Sequence, residues 1–308
     1  MKQRLIWCAI VAVCWSTLLS IPATRDFALG NLLVQLAIFI PFANIPGWRS
    51  NRLSYVDFAW PAGLLAIGIQ LLFFAAETTW LTLAVAALYG AAGLRMAFWA
   101  AHMYLPGRLT RDLPRYEYQR QRWARAGFTN ERLSVQYEIL VQAMANVAFL
   151  AVPAYMVATN SRSSLTPWEI AAILAWVAAY AFESVGDLQK RRFLARDPGQ
   201  RKAVCDVGLW RYTRHPNYFG QWLQWIALVT LALPSLLALR AQVPVAAFAV
   251  VGVSLAWVVY IMYRTLVHYT GAVPAEYYSR RKRAAYADYQ ASVNRFFPGP
   301  RKPGAAIE

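Results

Sequence analysis

Apolar runs of membrane-spanning length recur along the whole chain: Leu5–Ile21, Leu32–Ile45, Phe58–Ala76, Leu81–Ala101, Ile139–Ala158, Ile170–Phe182, Phe219–Leu239 and Val243–Val267. About 20 consecutive apolar residues carry a helix across a bilayer. The runs therefore predict an all-α polytopic membrane helix bundle with seven or eight transmembrane helices. Leu32–Ile45 and Ile170–Phe182 are short and need flanking residues to cross. Composition agrees: 58% of the 308 residues are hydrophobic and 15% charged, where an ordinary globular domain has about half and about a quarter. Lys2 and Arg4 ahead of the first run resemble the start of a signal peptide, but no small-x-small cleavage site follows, so the run is read as a retained helix.

A net charge of +16 invites a nucleic-acid reading, which its distribution excludes. Seven arginines fall between Arg108 and Arg132, a second basic cluster runs from Lys190 to Arg214, and a third from Arg280 to Lys302. All of these flank apolar runs. Loops rich in Lys and Arg stay cytoplasmic. Eight spans and a cytoplasmic N-terminus put the basic clusters on that side, with Glu77–Trp80 and the neighbourhoods of Arg162 and Arg240 opposite. Most of these arginines serve topology and attraction to anionic membrane lipids. Cys8, Cys14 and Cys205 show neither pairing nor metal-ligand spacing, and no metal is expected.

Ionisable groups inside a span are costly and mark function by default. Asp57, in SYVDFAWPAG, stands among aromatics at the cytoplasmic start of the third span; the structural alternative is a helix cap. Arg95 lies deep in the fourth span and requires a carboxylate or a bound anion. Tyr89, six residues earlier on a different face, serves either packing or function. Glu183, Asp187 and Arg191 share one helical face at a spacing of four, as an ion-pair ladder or as part of a site. Arg264 and His268 repeat that spacing at the end of the last span. These groups lie toward the side of the basic loops, which predicts a cavity open to the cytoplasm, with acids inside and bases at its mouth. A phosphorylated cofactor suits the mouth, and an apolar substrate arriving through the bilayer suits the rest.

The stretch RYTRHPNYFGQW, Arg211–Trp222, crowds polar groups at the start of an apolar run. Arg211, Arg214 and His215 can meet phosphates by charge-assisted hydrogen bonds, and Asn217 and Tyr218 offer neutral donors and acceptors. Pro216 fixes the backbone and Gly220 permits close approach. GLWRYTRHPNYFGQW closely resembles the GLWxxxRHPNYFGE signature of the steroid 5-alpha-reductase-like membrane family (the 3-oxo-5-alpha-steroid 4-dehydrogenases), particularly its bacterial branch. DLQKRRF (Asp187–Phe193), RDLPRYEYQR (Arg111–Arg120), YADYQASVNRFFP (Tyr286–Pro298) and SYVDFAWPAG extend the resemblance over residues 53–298. That reductase-like core belongs to a single transmembrane domain, 1–308, ending in a flexible basic tail, 299–308.

The resemblance implies an enzyme of a bacterial inner membrane that binds NADPH in a cavity open to the cytoplasm. It would pass hydride to the beta carbon of an enone, above all at the delta-4 bond of a 3-oxo steroid. The family's dinucleotide-contacting residues carry over to Asp187, Arg191, Arg211, Tyr212, Arg214, His215, Asn217 and Tyr218, with Gln221 where the signature has glutamate. Its substrate-polarising acid falls on Asp57. Its assisting tyrosine falls on Ala92, leaving Tyr89 as the replacement. Asp57 could polarise a carbonyl only when protonated, which burial favours. The alternative is an S-adenosylmethionine-dependent membrane methyltransferase of the isoprenylcysteine carboxyl methyltransferase type, which has a similar RHPxY segment but a cofactor without phosphate. A transporter or lipid-binding protein would explain the intramembrane charges and leave the motif without a purpose.

Overall fold

A computed structural model describes residues 2–104, 111–196 and 203–302. Arg108, Arg201 and Lys202 of the basic clusters, and residues 303–308 of the tail, lie outside them. The described residues form helices and no strand. In order these are α1 (Lys2–Ser20), α2 (Pro22–Phe39), α3 (Ile45–Ser50), α4 (Val56–Phe74), α5 (Trp80–Tyr104), α6 (Pro114–Arg125), α7 (Glu131–Ala145), α8 (Val152–Ala158), α9 (Pro167–Arg196), α10 (Pro216–Leu239), α11 (Val245–Arg264), α12 (Ala272–Lys282) and α13 (Tyr286–Ser292). Single π-helical turns, Ile40–Asn44, Asn146–Leu150 and Thr265–Tyr269, join α2 to α3, α7 to α8, and α11 toward α12. Seven of the resulting helices are long and apolar enough to cross a membrane, and the shorter apolar helix Arg4–Ser20 packs beside them. The protein is an integral membrane helix bundle.

The two short runs lengthen as crossing requires. Leu32–Ile45 falls inside the helical stretch Pro22–Ser50, and Ile170–Phe182 inside the 30-residue α9. The polar second half of α9 stays helical because its acids find partners within the bundle.

Turns sort to two ends. Ala76 N donates to the Ala158 carbonyl at 2.9 Å, which seats the α4–α5 turn beside the end of α8. Arg4 Nη2 donates to Ser134 Oγ at 3.2 Å, and Asn51 Nδ2 donates to Glu131 Oε2 at 3.3 Å. The start of α1, the α3–α4 turn and the start of α7 therefore share the other end, which also carries α6, the segment before α10, and α12–α13. This is the basic end, and its membership is the one that loop charge predicts.

The stretch Glu131–Ala158 is the centre of the bundle: every residue from Asn146 through Ala158 is buried. A helix apolar on all sides belongs in such a place. Amides anchor it. Asn31 Nδ2 donates to Tyr155 Oη at 2.7 Å, Asn146 Nδ2 donates to Gln35 Oε1 at 3.0 Å, and Gln35 Nε2 donates to the Gly63 carbonyl at 3.0 Å. Hydrocarbon offers these groups no alternative partner, so the network locks α2, α4 and the central helix in register.

Candidate functional site

Two polar clusters meet at the basic end on either side of Tyr218. The first is built by α5, α9 and α10. A Cβ at Gly220 would stand 2.8 Å from Glu183 N and 2.9 Å from the Ala179 carbonyl, so glycine is what lets α10 lie against α9 here. Gly208, at φ 57°, turns the chain over Gln189, whose Oε1 accepts from Leu209 N at 2.9 Å. Trp210 Nε1 then donates to the Gly186 carbonyl at 2.9 Å. The GLW portion of the motif is thus a clasp on α9, and it delivers Pro216 to the first position of α10, where a missing N–H costs nothing.

Within this frame Arg95 Nη1 lies 2.6 Å from Glu183 Oε2, and Nη2 bonds Asp187 Oδ2. The acid ladder on α9 is closed by Arg95 of α5. Arg191 instead lays its guanidinium 4.7 Å from the Trp99 ring centre. Asn217 Nδ2 donates to Asp187 Oδ1 at 3.0 Å, while Gln224 Nε2 donates to Glu183 Oε2 at 2.6 Å. Asn217 Oδ1 is buried with no hydrogen-bond partner.

The second cluster joins α4 to α6. Asp57 Oδ2 accepts from Arg115 Nη2 at 2.7 Å, and Oδ1 accepts from the Tyr116 hydroxyl. Capping of the chain entering α4 is done by another residue: Asp112 Oδ1 accepts from Leu53 N, Ser54 N and Ser54 Oγ at 2.9, 3.0 and 2.8 Å. Burial alone would pull the Arg115 guanidinium down, but the Asp57 carboxylate, with the Tyr116 and Tyr218 phenols behind it, raises it well above its ordinary value. Burial and then the Asp57 charge push the Tyr116 phenol well up, so it keeps its proton. The sequence expectation asks Asp57 to donate; in the structure Asp57 accepts at both oxygens, and the donors are its neighbours.

Tyr218 connects the two clusters. It lies within electrostatic reach of Arg115, Asp187 and Asp57, and its ring stacks on His215 at 5.2 Å and 3°. The structure therefore brings together Asp57, Arg95, Glu183, Asp187, Asn217 and Tyr218 of the residues singled out from sequence, and adds Arg115 and Tyr116.

Other expected residues face elsewhere. Arg214 is buried, with Nε 2.7 Å from Glu276 Oε1 and Nη1 2.8 Å from the Gln290 carbonyl. His215 Nε2 lies 3.2 Å from the same Glu276 oxygen. Burial lowers His215 to about 4 in spite of that carboxylate, so the ring is neutral near pH 7. Arg211 and Tyr212 are exposed. Gln221 Nε2 contacts Met96 Sδ at 3.2 Å. Tyr89 is buried, donates to the Leu150 carbonyl and stands edge-on to Trp225 at 6.3 Å. It packs level with Gly68, eleven residues along α4 from Asp57, a rise of about 16 Å; the structure does not bring the two together. His268 meets Tyr263 at 5.9 Å in an aromatic cluster with Phe296 and Phe297.

A family model described as a protein of unknown function, DUF1295, matches residues 45–293. The chain belongs to this family. The matched DUF1295 region holds both polar clusters, the Arg214–Glu276 pair and the whole of α6. No curated protein and no solved structure matches the chain. Sequence reasoning had no hold on Tyr116, Arg115 and Glu276. The first two stand in RDLPRYEYQR, where nothing local reveals that the segment folds back onto α4. Glu276 is a lone acid in a basic stretch, and its partners in the motif, His215 and Arg214, are 61 and 62 positions away.

Proposed function

We propose that this membrane protein is an NADPH-dependent reductase that saturates the C=C bond of an enone lipid, with the delta-4 bond of a 3-oxo steroid as the leading substrate. One observation carries the reading: Asn217 Oδ1, a buried acceptor without a donor, sits beside Asp187 in a cluster that Tyr218 links to Asp57, Arg115 and Tyr116. An amide or ribose hydroxyl of a dinucleotide is the donor such an atom lacks. Asn217, Asp187 and Tyr218 would hold the cofactor. Arg191 and Lys190, which rest on Trp99 and Trp210 with no carboxylate among the described residues, have charge for its phosphates. The positive-inside rule turns the basic end toward the cytoplasm of a bacterial inner membrane, where NADPH is found.

When bound, the dihydronicotinamide supplies a hydride to the substrate's beta carbon. The chain's own groups manage the negative charge that develops on the carbonyl oxygen. Tyr116, protonated, donates to that oxygen; Arg115 adds a positive charge; Asp57 orients both. One well-placed donor at such an oxygen is worth ~3–4 kcal/mol. The alpha carbon takes a proton from water or from the Tyr116 hydroxyl, and the product carries two more hydrogens than the enone.

Mass spectrometry of the detergent-purified protein tests the reading directly. NADP(H) should be released on denaturation, and NADPH should be oxidised when a 3-oxo-delta-4 steroid is supplied. Release of S-adenosylmethionine would move the protein to the methyltransferase class, and failure to bind any dinucleotide would end the reductase assignment.

A further inference from the structure

The π turn Ile40–Asn44 inserts an extra residue into the helix between α2 and α3 and widens it there. Below that turn the outer surface of the bundle opens into a shallow groove lined by Asn44, Ile45, Trp48, Arg49 and Gln136, about 240 Å³ in volume and open to the surroundings. Two hydrogen bonds join its floor. Asn44 Nδ2 donates to Gln136 Oε1 at 2.9 Å, and Gln136 Nε2 donates to the Asn44 carbonyl at 3.1 Å. These bonds tie Gln136 to Asn44 and leave Ile45 and Trp48, 44% and 48% exposed, as the walls.

The mouth of the groove carries unspent charge. Arg49 lies in the last turn of α3 at the basic end. Arg132 stands one helical turn before Gln136 on the same stripe of α7 and is exposed. Neither arginine takes part in an ion pair among the described residues, and the nearest acid in sequence, Glu131, is held by Arg120 at 2.6 Å. An apolar slot running along a membrane helix, with two free guanidinium groups where it reaches the membrane surface, matches a molecule that is apolar along its length and anionic at its head.

We propose that this groove is a binding site for one anionic phospholipid of the leaflet at the basic end. An acyl chain lies along Ile45 and Trp48, and the headgroup phosphate is met by Arg49 and Arg132. The occupant is a lipid rather than a second copy of the chain because the charge at the mouth is uncompensated and the acids at this end form no patch to cover it: Asp57, Asp112 and Glu276 are engaged in ion pairs, and Glu117 and Asp288 stand singly in basic stretches. The proposal is independent of the reductase reading.

Native mass spectrometry of the full chain, released from nanodiscs of phosphatidylglycerol mixed with phosphatidylcholine, tests it. One phosphatidylglycerol should remain bound per chain in preference to phosphatidylcholine. Each interfacial arginine contributes about a fivefold gain toward an anionic lipid, so the Arg49→Gln/Arg132→Gln variant should retain that lipid about 30-fold less well, and Trp48→Ala should also weaken it. Arg49→Lys/Arg132→Lys should restore most of the retention. Equal retention of the two lipids by the unaltered chain would overturn the proposal, a measurement that stands even where a variant fails to fold. Unchanged retention in the glutamine variant, or a dimer whose interface covers Trp48, would overturn it as well.

Discussion

Arg214 Nε lies 2.7 Å from Glu276 Oε1, and the same oxygen is 3.2 Å from His215 Nε2. The most basic-looking part of the motif is therefore tied to α12 and to the chain that follows it, with Arg214 N donating to the Asn294 carbonyl at 2.9 Å and Thr213 Oγ1 to the Phe296 carbonyl at 2.9 Å. Arg214 holds the end of the bundle closed; Asn217, three residues later, faces the clusters around Tyr218.

Glu276→Ala should lower the melting temperature sharply, since it strands a buried guanidinium. Removing one partner of such a pair costs ~3–5 kcal/mol. Glu276→Gln keeps an acceptor and should cost clearly less. Thermal denaturation in detergent, without ligand, reads both; equal and small effects would mean that Arg214 has another anion.

Stability should fall as the medium is acidified from pH 6.5 toward 4. His215 is held near 4 when folded and near 6.5 when unfolded, so in that window the unfolded chain binds the extra proton. The contribution is complete above about pH 6.5 and fades through the folded value, a total of ~3 kcal/mol. The groups around the ring, Glu276, Arg214, Lys190 and Tyr218, set the environment that a proton would enter. His215→Gln should flatten the melting-temperature profile across this range, and a profile as steep as the parent's would assign the effect to another residue.

Asn217→Ala should weaken NADPH binding about tenfold, the value of one or two hydrogen bonds to a ligand, while the melting temperature of the free protein stays within a few degrees. Arg214→Ala should show the reverse order, losing stability before affinity. Isothermal titration beside thermal melts separates the two. Loss of stability alone in Asn217→Ala would make its unpartnered oxygen a packing feature.

Tyr116→Phe removes the donor nearest Asp57 and should reduce enone turnover about a hundredfold with NADPH affinity retained. Asp57→Leu should do at least as much, because Arg115 and Tyr116 both lose their acceptor. Tyr89→Phe should leave turnover intact and cost only about 1 kcal/mol of stability for its bond to the Leu150 carbonyl. Steady-state kinetics on the three variants tests the set. Full activity in Tyr116→Phe would return the donor role to Asp57.

Much of the bundle is legible in one dimension because hydrocarbon imposes one-dimensional rules. A run such as Phe219–Leu239 has to be helical and has to cross, and loop arginines assign its ends. Asp57 and Asp187 stand out for the same reason, as charges whose burial demands a partner. Their partners do not stand out. Arg115 is 58 positions from Asp57, and Arg95 is 92 from Asp187; each is one arginine among many until the chain folds. Tyr89 and Tyr116 show the limit most plainly. Tyr89 is the tyrosine that the family resemblance offers as a partner for Asp57, yet helix rise carries it deep into the core, while α6 folds Tyr116 back to Asp57.

The sequence by itself determined the class of fold, the sorting of loops to two ends and the presence of costly polar groups, because solvent transfer energies act residue by residue. Only the tertiary structure decided which arginine neutralises which acid, that Arg214 and His215 turn toward Glu276, and that Asn217 keeps an oxygen unspent. Hydrogen bonds and ion pairs depend on distances of about 3 Å between side chains from different helices, and those distances exist only once the helices have packed.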